Sequence, residues 1–154
     1  MIENILICLD GTELSESILP LAVEIAERFG SKIVLLNVLI VPLYLSGIGR
    51  AEVVVKHSVQ ISEHEEEVDT YLERIAEPLR KRGLDVDCVT IEGTVEESIM
   101  AYARTYEVGL IAMVSHGRSG LNRLVSGSAT ESVLRKSGIP VLAVCPSKAV
   151  KAVA

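Results

Sequence analysis

Residues 111–132 read IAMVSHGRSGLNRLVSGSATES, a strand, a glycine-bearing loop and a helix start in succession. An apolar run, Val108 to Val114, halts at Ser115-His116-Gly117. A segment of Gly and Ser with two Arg follows, and Gly127-Ser128 then opens an amphipathic helix. A strand that ends in a glycine-bearing loop and feeds a helix N-terminus is a physical recipe for an anion site. Glycine lets backbone approach a ligand, and the first helical N–H groups have no intrahelical partner. Taken alone, the same connection can serve only as a turn that needs glycine for its geometry.

Outward from that stretch the chain alternates strand and helix. Ile5–Leu9 is a continuous apolar run, suited to a strand buried on both faces, and it ends at Asp10-Gly11-Thr12. Thr12 or Ser15 can cap a helix whose apolar stripe is Leu14, Ile18, Leu21, Ala22, Ile25, Ala26 and Phe29, with Gly30 as its C-cap. Ile33 to Ile40 is the second strand. Residues 42–53 show no period and read as a loop over the sheet. A long helix follows, from Ser58 or Ser62 to Arg82, with Val68, Leu72, Ile75 and Leu79 on one face and Gly83 at its end. The acidic segment HEEEVD within it reads as a solvated face rather than a metal site.

Val86–Ile91 is the third strand. Thr94 to Glu97 forms a capping box for a helix with Ile99, Ala103 and Tyr106 inward or at its border. Val108–Val114 is the fourth strand, and Ser128 to Glu131 a second capping box for a helix running to Lys136. Val141–Cys145 is the fifth strand. Five strands alternating with four helices predict one α/β domain over residues 1–146, a parallel sheet with helices on both faces and a frayed tail at 147–154.

Composition narrows the function. The chain has 154 residues, enough for one substantial core, and 49% of them are hydrophobic. Aromatic residues make up only 3%, which argues against stacking platforms for single-stranded nucleic acid. A net charge of −6 argues against general binding to DNA or to acidic membranes. Cys8, Cys88 and Cys145 are scattered among apolar residues and read as reduced, buried thiols. The sequence starts directly in a strand, without a basic-then-apolar leader. Its longest apolar stretch, Ile33 to Leu45, is broken by Asn37 and Pro42 and is too short for a bilayer. The expectation is a soluble, cytoplasmic protein with neither nucleic acid nor membrane as partner.

In an open α/β sheet, ligands bind beyond the carboxyl ends of the strands where the winding reverses. The loops Asp10–Thr12 and Ser115–Ser128 share one crevice if the first and fourth strands are neighbours. At these residues the chain resembles the universal stress proteins, from Ile5 to Pro146. The family's nucleotide signature is Gly, two residues, Gly, nine residues, Gly, then Ser or Thr. Gly117, Gly127 and Ser128 match its spacing, and ILICLDGTELSE and SGIPVLAVCP resemble its first strand–turn and last strand.

One position departs: Val114 stands where the first signature glycine belongs. Its side chain adds volume and restricts the backbone, so binding is expected to be weakened rather than abolished. A Cβ turned into the core would leave the ligand untouched.

The resemblance implies a Rossmann-like fold of strand order 3-2-1-4-5 and an adenine nucleotide, ATP or AMP, with Mg2+ carried on the phosphates. It implies Asp10 near the ribose or adenine, and Val38 presenting backbone to the adenine. Gly117, Gly127, Ser128, Ala129 and Thr130 would wrap the phosphates, with Val114 and His116 alongside and Arg118 within reach of them. Hydroxyls beside free helix N–H groups suit that role, although Ser128 can equally serve as a cap paired with Glu131. His116 has no catalytic partner and reads as a turn stabiliser, and Arg123 reads as a solvated surface cation. No P-loop or Gly-x-Gly-x-x-Gly pattern occurs.

The leading expectation is therefore a stress-associated nucleotide-binding module that changes partner interactions with occupancy. A nucleotide-free interaction module is the alternative that Val114 favours, and a slow ATPase ranks third. The apolar edge strand Val141–Cys145 invites pairing with a second copy, and the resemblance likewise implies a homodimer through it.

Overall fold

Ile5, Leu6 and Ile7 are fully buried because their strand, β1 (Asn4–Cys8), lies at the centre of the sheet and is covered on both faces. The computed structural model describes residues 2–40, 51–115 and 126–145, with the backbone alone for 51–64 and 126–128. Beside β1 lie β2 (Lys32–Leu39) and, on the other side, β4 (Leu110–Val114); β3 (Val86–Glu92) and β5 (Val141–Val144) form the edges. The order is β3-β2-β1-β4-β5, and every pair is parallel. Ile5 faces Ile33 across one ladder and Leu110 across the other. The expected sheet and strand order are both present.

Alternation along the strands builds two cores. Ile5, Ile7, Ile33, Leu35, Leu110, Ala112 and Val114 point to the face covered by α2 (Leu19–Phe29) and α3 (Ala51–Lys81). Leu6, Val34, Leu36, Ile111 and Met113 point to the face covered by α4 (Val95–Thr105) and α5 (Ser126–Lys136). The first two crossovers therefore lie on one face and the last two on the other, so the winding reverses between β1 and β4.

Several local expectations are corrected. The single helix read after Thr12 is two, a four-residue α1 (Glu13–Glu16) and α2, because Pro20 sits in the first turn of α2. In a continuous helix its ring would clash with the carbonyl of residue 16, and it has no N–H to donate. Thr12 does cap α1, accepting from Ser15 N–H. The break rotates the stripe, so Ile18, Ala22 and Ala26 are buried while Leu14, Leu21 and Phe29 are exposed. Gly30 closes α2 in the left-handed region at φ 66, as its C-cap reading requires.

Further along, α3 begins at Ala51, well before Ser58, and carries Pro78 inside it. The loop expected at 42–53 thus ends in helix at 51–53, and residues 41–50 lie outside the described set. Neither capping box has its expected form. Thr94 occupies the N-cap position, but its hydroxyl donates to the Glu97 carboxylate at 2.8 Å instead of accepting a backbone N–H. Ser128 is the third residue of α5, not its cap, and Glu131 pairs with Arg135 at 2.8 Å. The tyrosine at the end of α4, Tyr106, is exposed. Cys145 is exposed just beyond β5, while Cys8 and Cys88 are half-buried, so the reading of three buried thiols does not hold. The tail at 147–154 lies outside the described residues.

Candidate functional site

A crevice of about 430 Å³ opens at the carboxyl ends of β1, β2 and β4, at the reversal of the winding. Its volume lies within the usual range for small-molecule sites. Asp10, Val38, Val114, Ala129 and Thr130 all line it, so the Asp10 turn, the end of β4 and the start of α5 meet at the same end of the sheet. Apolar walls come from both faces: Val68 on one side, Val95, Ile99 and Met113 on the other. A flat, weakly polar ring suits such a slot better than a charged group does.

The Asp10 turn is organised by its own side chains. Asp10 Oδ1 accepts from Thr12 N–H at 3.0 Å and from Thr12 Oγ1 at 2.6 Å, a local motif that fixes the carboxylate at the mouth. Ser15, buried behind the turn, accepts from Asp10 N–H at 3.3 Å and donates to Thr12 O at 2.8 Å. Glu16 ties the same turn to α3 through Arg74 at 3.2 Å, a contact exposed enough to contribute only about 0–1 kcal/mol.

Val38 stands two positions past Leu36, the last β2 residue paired with β1, where the ladder ends opposite Cys8. Lys32 N–H donates to Glu3 O, and Leu36 O accepts from Leu9 N–H, so the even-numbered peptide groups of β2 point toward β1. By the same alternation the Val38 backbone points to that side, where β1 has ended.

At the far wall, Ala129 and Thr130 are buried in the first turns of α5. Thr130 Oγ1 donates to Val114 O at 3.2 Å and so docks the helix start onto the end of β4. Gly127 and Ser128 precede them in the helix, at the end where N–H groups lack intrahelical partners. Val114 packs into the core on the α2 and α3 face, at 6% exposure, and also forms part of the crevice wall. His116, Gly117, Arg118 and Arg123 lie outside the described residues.

The sequence reading passed over Ser15 as a wall residue, and over Asn37, Val95, Ile99 and Met113. Asn37 was visible as one of two breaks, with Pro42, in an apolar run, but nothing in the sequence marked it as a wall residue. Cys8 also lines the crevice, and burial pushes its thiol up to about 12, so it is a neutral wall group at physiological pH.

Comparison with known proteins agrees with this architecture. A profile of the Universal stress protein family matches residues 1–144. The universal stress protein MJ0577 of Methanocaldococcus jannaschii is 37% identical over 79 residues, which is 51% of this chain and 49% of that protein. The matched stretch thus spans about half the length of that relative, and 22% of Slr1230 of Synechocystis at 41% identity. YxiE of Bacillus subtilis is 27% identical across 94% of this chain and 99% of its own length.

Among solved structures, that of MJ0577 superposes with a TM-score of 0.74 at 27% identity, covering 97% of this chain and 99% of that one. Universal stress proteins crystallised with cAMP and, from Archaeoglobus fulgidus, with dAMP share the fold at TM-scores of 0.67 and 0.59, at 17% and 18% identity. They cover 94% of this chain each, and 98% and 99% of their own. With the profile matched along nearly its whole length, this chain belongs to the universal stress protein family.

Proposed function

We propose that this protein binds an adenine nucleotide, ATP or AMP, in the crevice at the ends of β1, β2 and β4, and that occupancy regulates its interactions. The observation that carries the reading is the convergence of Asp10, Val38, Ala129 and Thr130 on one apolar-walled slot beside the start of α5. The base lies between the walls of Val38, Leu39, Val95 and Met113, with the Val38 peptide groups at its edge. The Asp10 carboxylate takes the ribose hydroxyls. Gly127, Ser128 and the first turn of α5 receive the phosphates, Gly117 and Arg118 are assigned to them by the family resemblance, and Mg2+ enters with the phosphates. Fold relatives crystallised with cAMP and dAMP support the choice of an adenine ligand.

Asp10 is the one candidate base among the named residues and no phosphoryl-neutralising lysine stands beside it, so the reading is of binding with at most slow turnover. The test is direct: denature freshly purified protein and identify what is released. Adenine nucleotide near one per chain supports the reading. A released fraction free of nucleotide, followed by no ATP or AMP binding in a folded sample, rejects it.

The second reading, a nucleotide-free interaction module, draws on Val114, whose side chain stands in the crevice wall. In either case the protein acts in the cytoplasm as a homodimer paired through β5, whose outer edge has no partner strand among the described residues.

A further inference from the structure

Asn37 is the only buried polar residue within a strand among the described residues. A carboxamide in such a place is costly unless its groups are bonded. Asn37 Nδ2 donates to Leu9 O at 2.8 Å. Leu9 is the first residue past β1, and its own N–H still donates to Leu36 O at 2.8 Å. In a parallel ladder the next bond would run from Val38 N–H to Leu9 O. That bond is not formed, and Asn37 Nδ2 bonds to the carbonyl instead.

We infer that Asn37 is a positioning residue: its side chain takes the Leu9 carbonyl in place of Val38 N–H, parts β1 from β2 one step early, and leaves that N–H as a donor facing the crevice. The inference rests on the nucleotide reading for its purpose, but not for its geometry. An exposed backbone donor beside an apolar slot suits a ring nitrogen acceptor on a planar base. The same bond fixes where the chain leaves the sheet, one residue before Asp10. Asn37 thereby sets the span between the two groups assigned to the nucleoside.

The test uses amide exchange together with ATP titration. In the nucleotide-free wild type, the Val38 amide exchanges about tenfold or more faster than its strand neighbour Leu36. A through-bond coupling connects the Asn37 carboxamide to the Leu9 carbonyl. In Asn37→Leu, which keeps the shape and removes the donor, the ladder closes, Val38 becomes protected, and Mg2+–ATP binds about tenfold more weakly. Asn37→His, whose ring Nδ1–H can reach the same carbonyl, restores both readouts.

A Val38 amide already as protected as Leu36 in wild type, or no coupling to Leu9, overturns the inference without any variant. So does an Asn37→Leu protein that binds ATP as wild type does. If wild type fails to bind ATP while Val38 exchange behaves as described, the nucleotide reading falls and the Asn37 geometry stands. If Asn37→Leu does not fold, the wild-type exchange and coupling decide.

Discussion

Val114 carries two roles in one side chain. Its methyls fill the core beside Ala112 and Leu9, and its surface also borders the crevice. Replacing it with Gly restores the family's signature residue but removes buried volume and loosens the strand. Val114→Gly is expected to lose about 2–4 kcal/mol of stability in urea unfolding. Its ATP affinity is expected to rise by less than about tenfold, since most of the side chain faces the core. A gain beyond about a hundredfold would mark the natural site as disabled and favour the nucleotide-free reading. The place of Asp10 at the crevice was legible from the turn that ends its strand, whereas Val38 was named only through the family resemblance. Asn37 was not legible, since its meaning depends on which backbone donor it displaces, and that requires the ladder.

At the scale of elements, glycines at chain reversals set the sharpest local demands. Gly93, between β3 and α4, has φ +147, and an added Cβ would come within 2.7 Å of Ser98 Oγ. Its N–H also donates to Leu39 O, closing the end of β2 beside the crevice. Gly30 has φ +66 with open space around it. Gly30→Ala is therefore expected to cost about 1–2 kcal/mol, from backbone conformation alone. Gly93→Ala is expected to cost more than that, read as a lower urea midpoint; equal costs would contradict the steric argument. Strands and the Gly30 cap were legible because burial on both faces and a left-handed residue are local signatures. The split of α1 from α2 was legible in principle from Pro20, but the apolar stripe through Leu14 and Leu21 outweighed it. Both capping boxes looked right in sequence and failed in geometry, one because its hydroxyl found a carboxylate and the other because the helix started two residues earlier.

For the whole molecule, the alternation of strand and helix was legible as a parallel α/β sheet, while its order came from the family resemblance, because right-handed crossovers alone leave several orders open. The stability of that assembly should depend on pH in the alkaline range. Burial raises the Cys8 thiol from 9.0 to about 12 and the Tyr71 phenol from 10.0 to about 12. Both are acids held neutral by the fold, so the unfolded chain releases their protons first. Stability is accordingly full below about pH 9 and falls as pH rises toward 12, which urea midpoints at about pH 8 and pH 10.5 would show. A midpoint that does not move would contradict it.

Assembly can be tested at the β5 edge. Pro140 O and Val144 O bond to β4, so alternation turns Ala143 outward. Ala143→Pro removes the outward N–H while sparing the β4 ladder, and light scattering is expected to report a dimer for wild type and a monomer for the variant. A wild-type monomer at micromolar concentration would rule out the β5 pairing.

The most direct trial of the account is a calorimetric titration of nucleotide-stripped, folded protein with ATP and Mg2+, in parallel with Asp10→Ala. The expected result is saturable binding near one site per chain that weakens in the variant. No heat at any concentration, or binding indifferent to Asp10, would contradict the claim that this crevice holds the nucleotide.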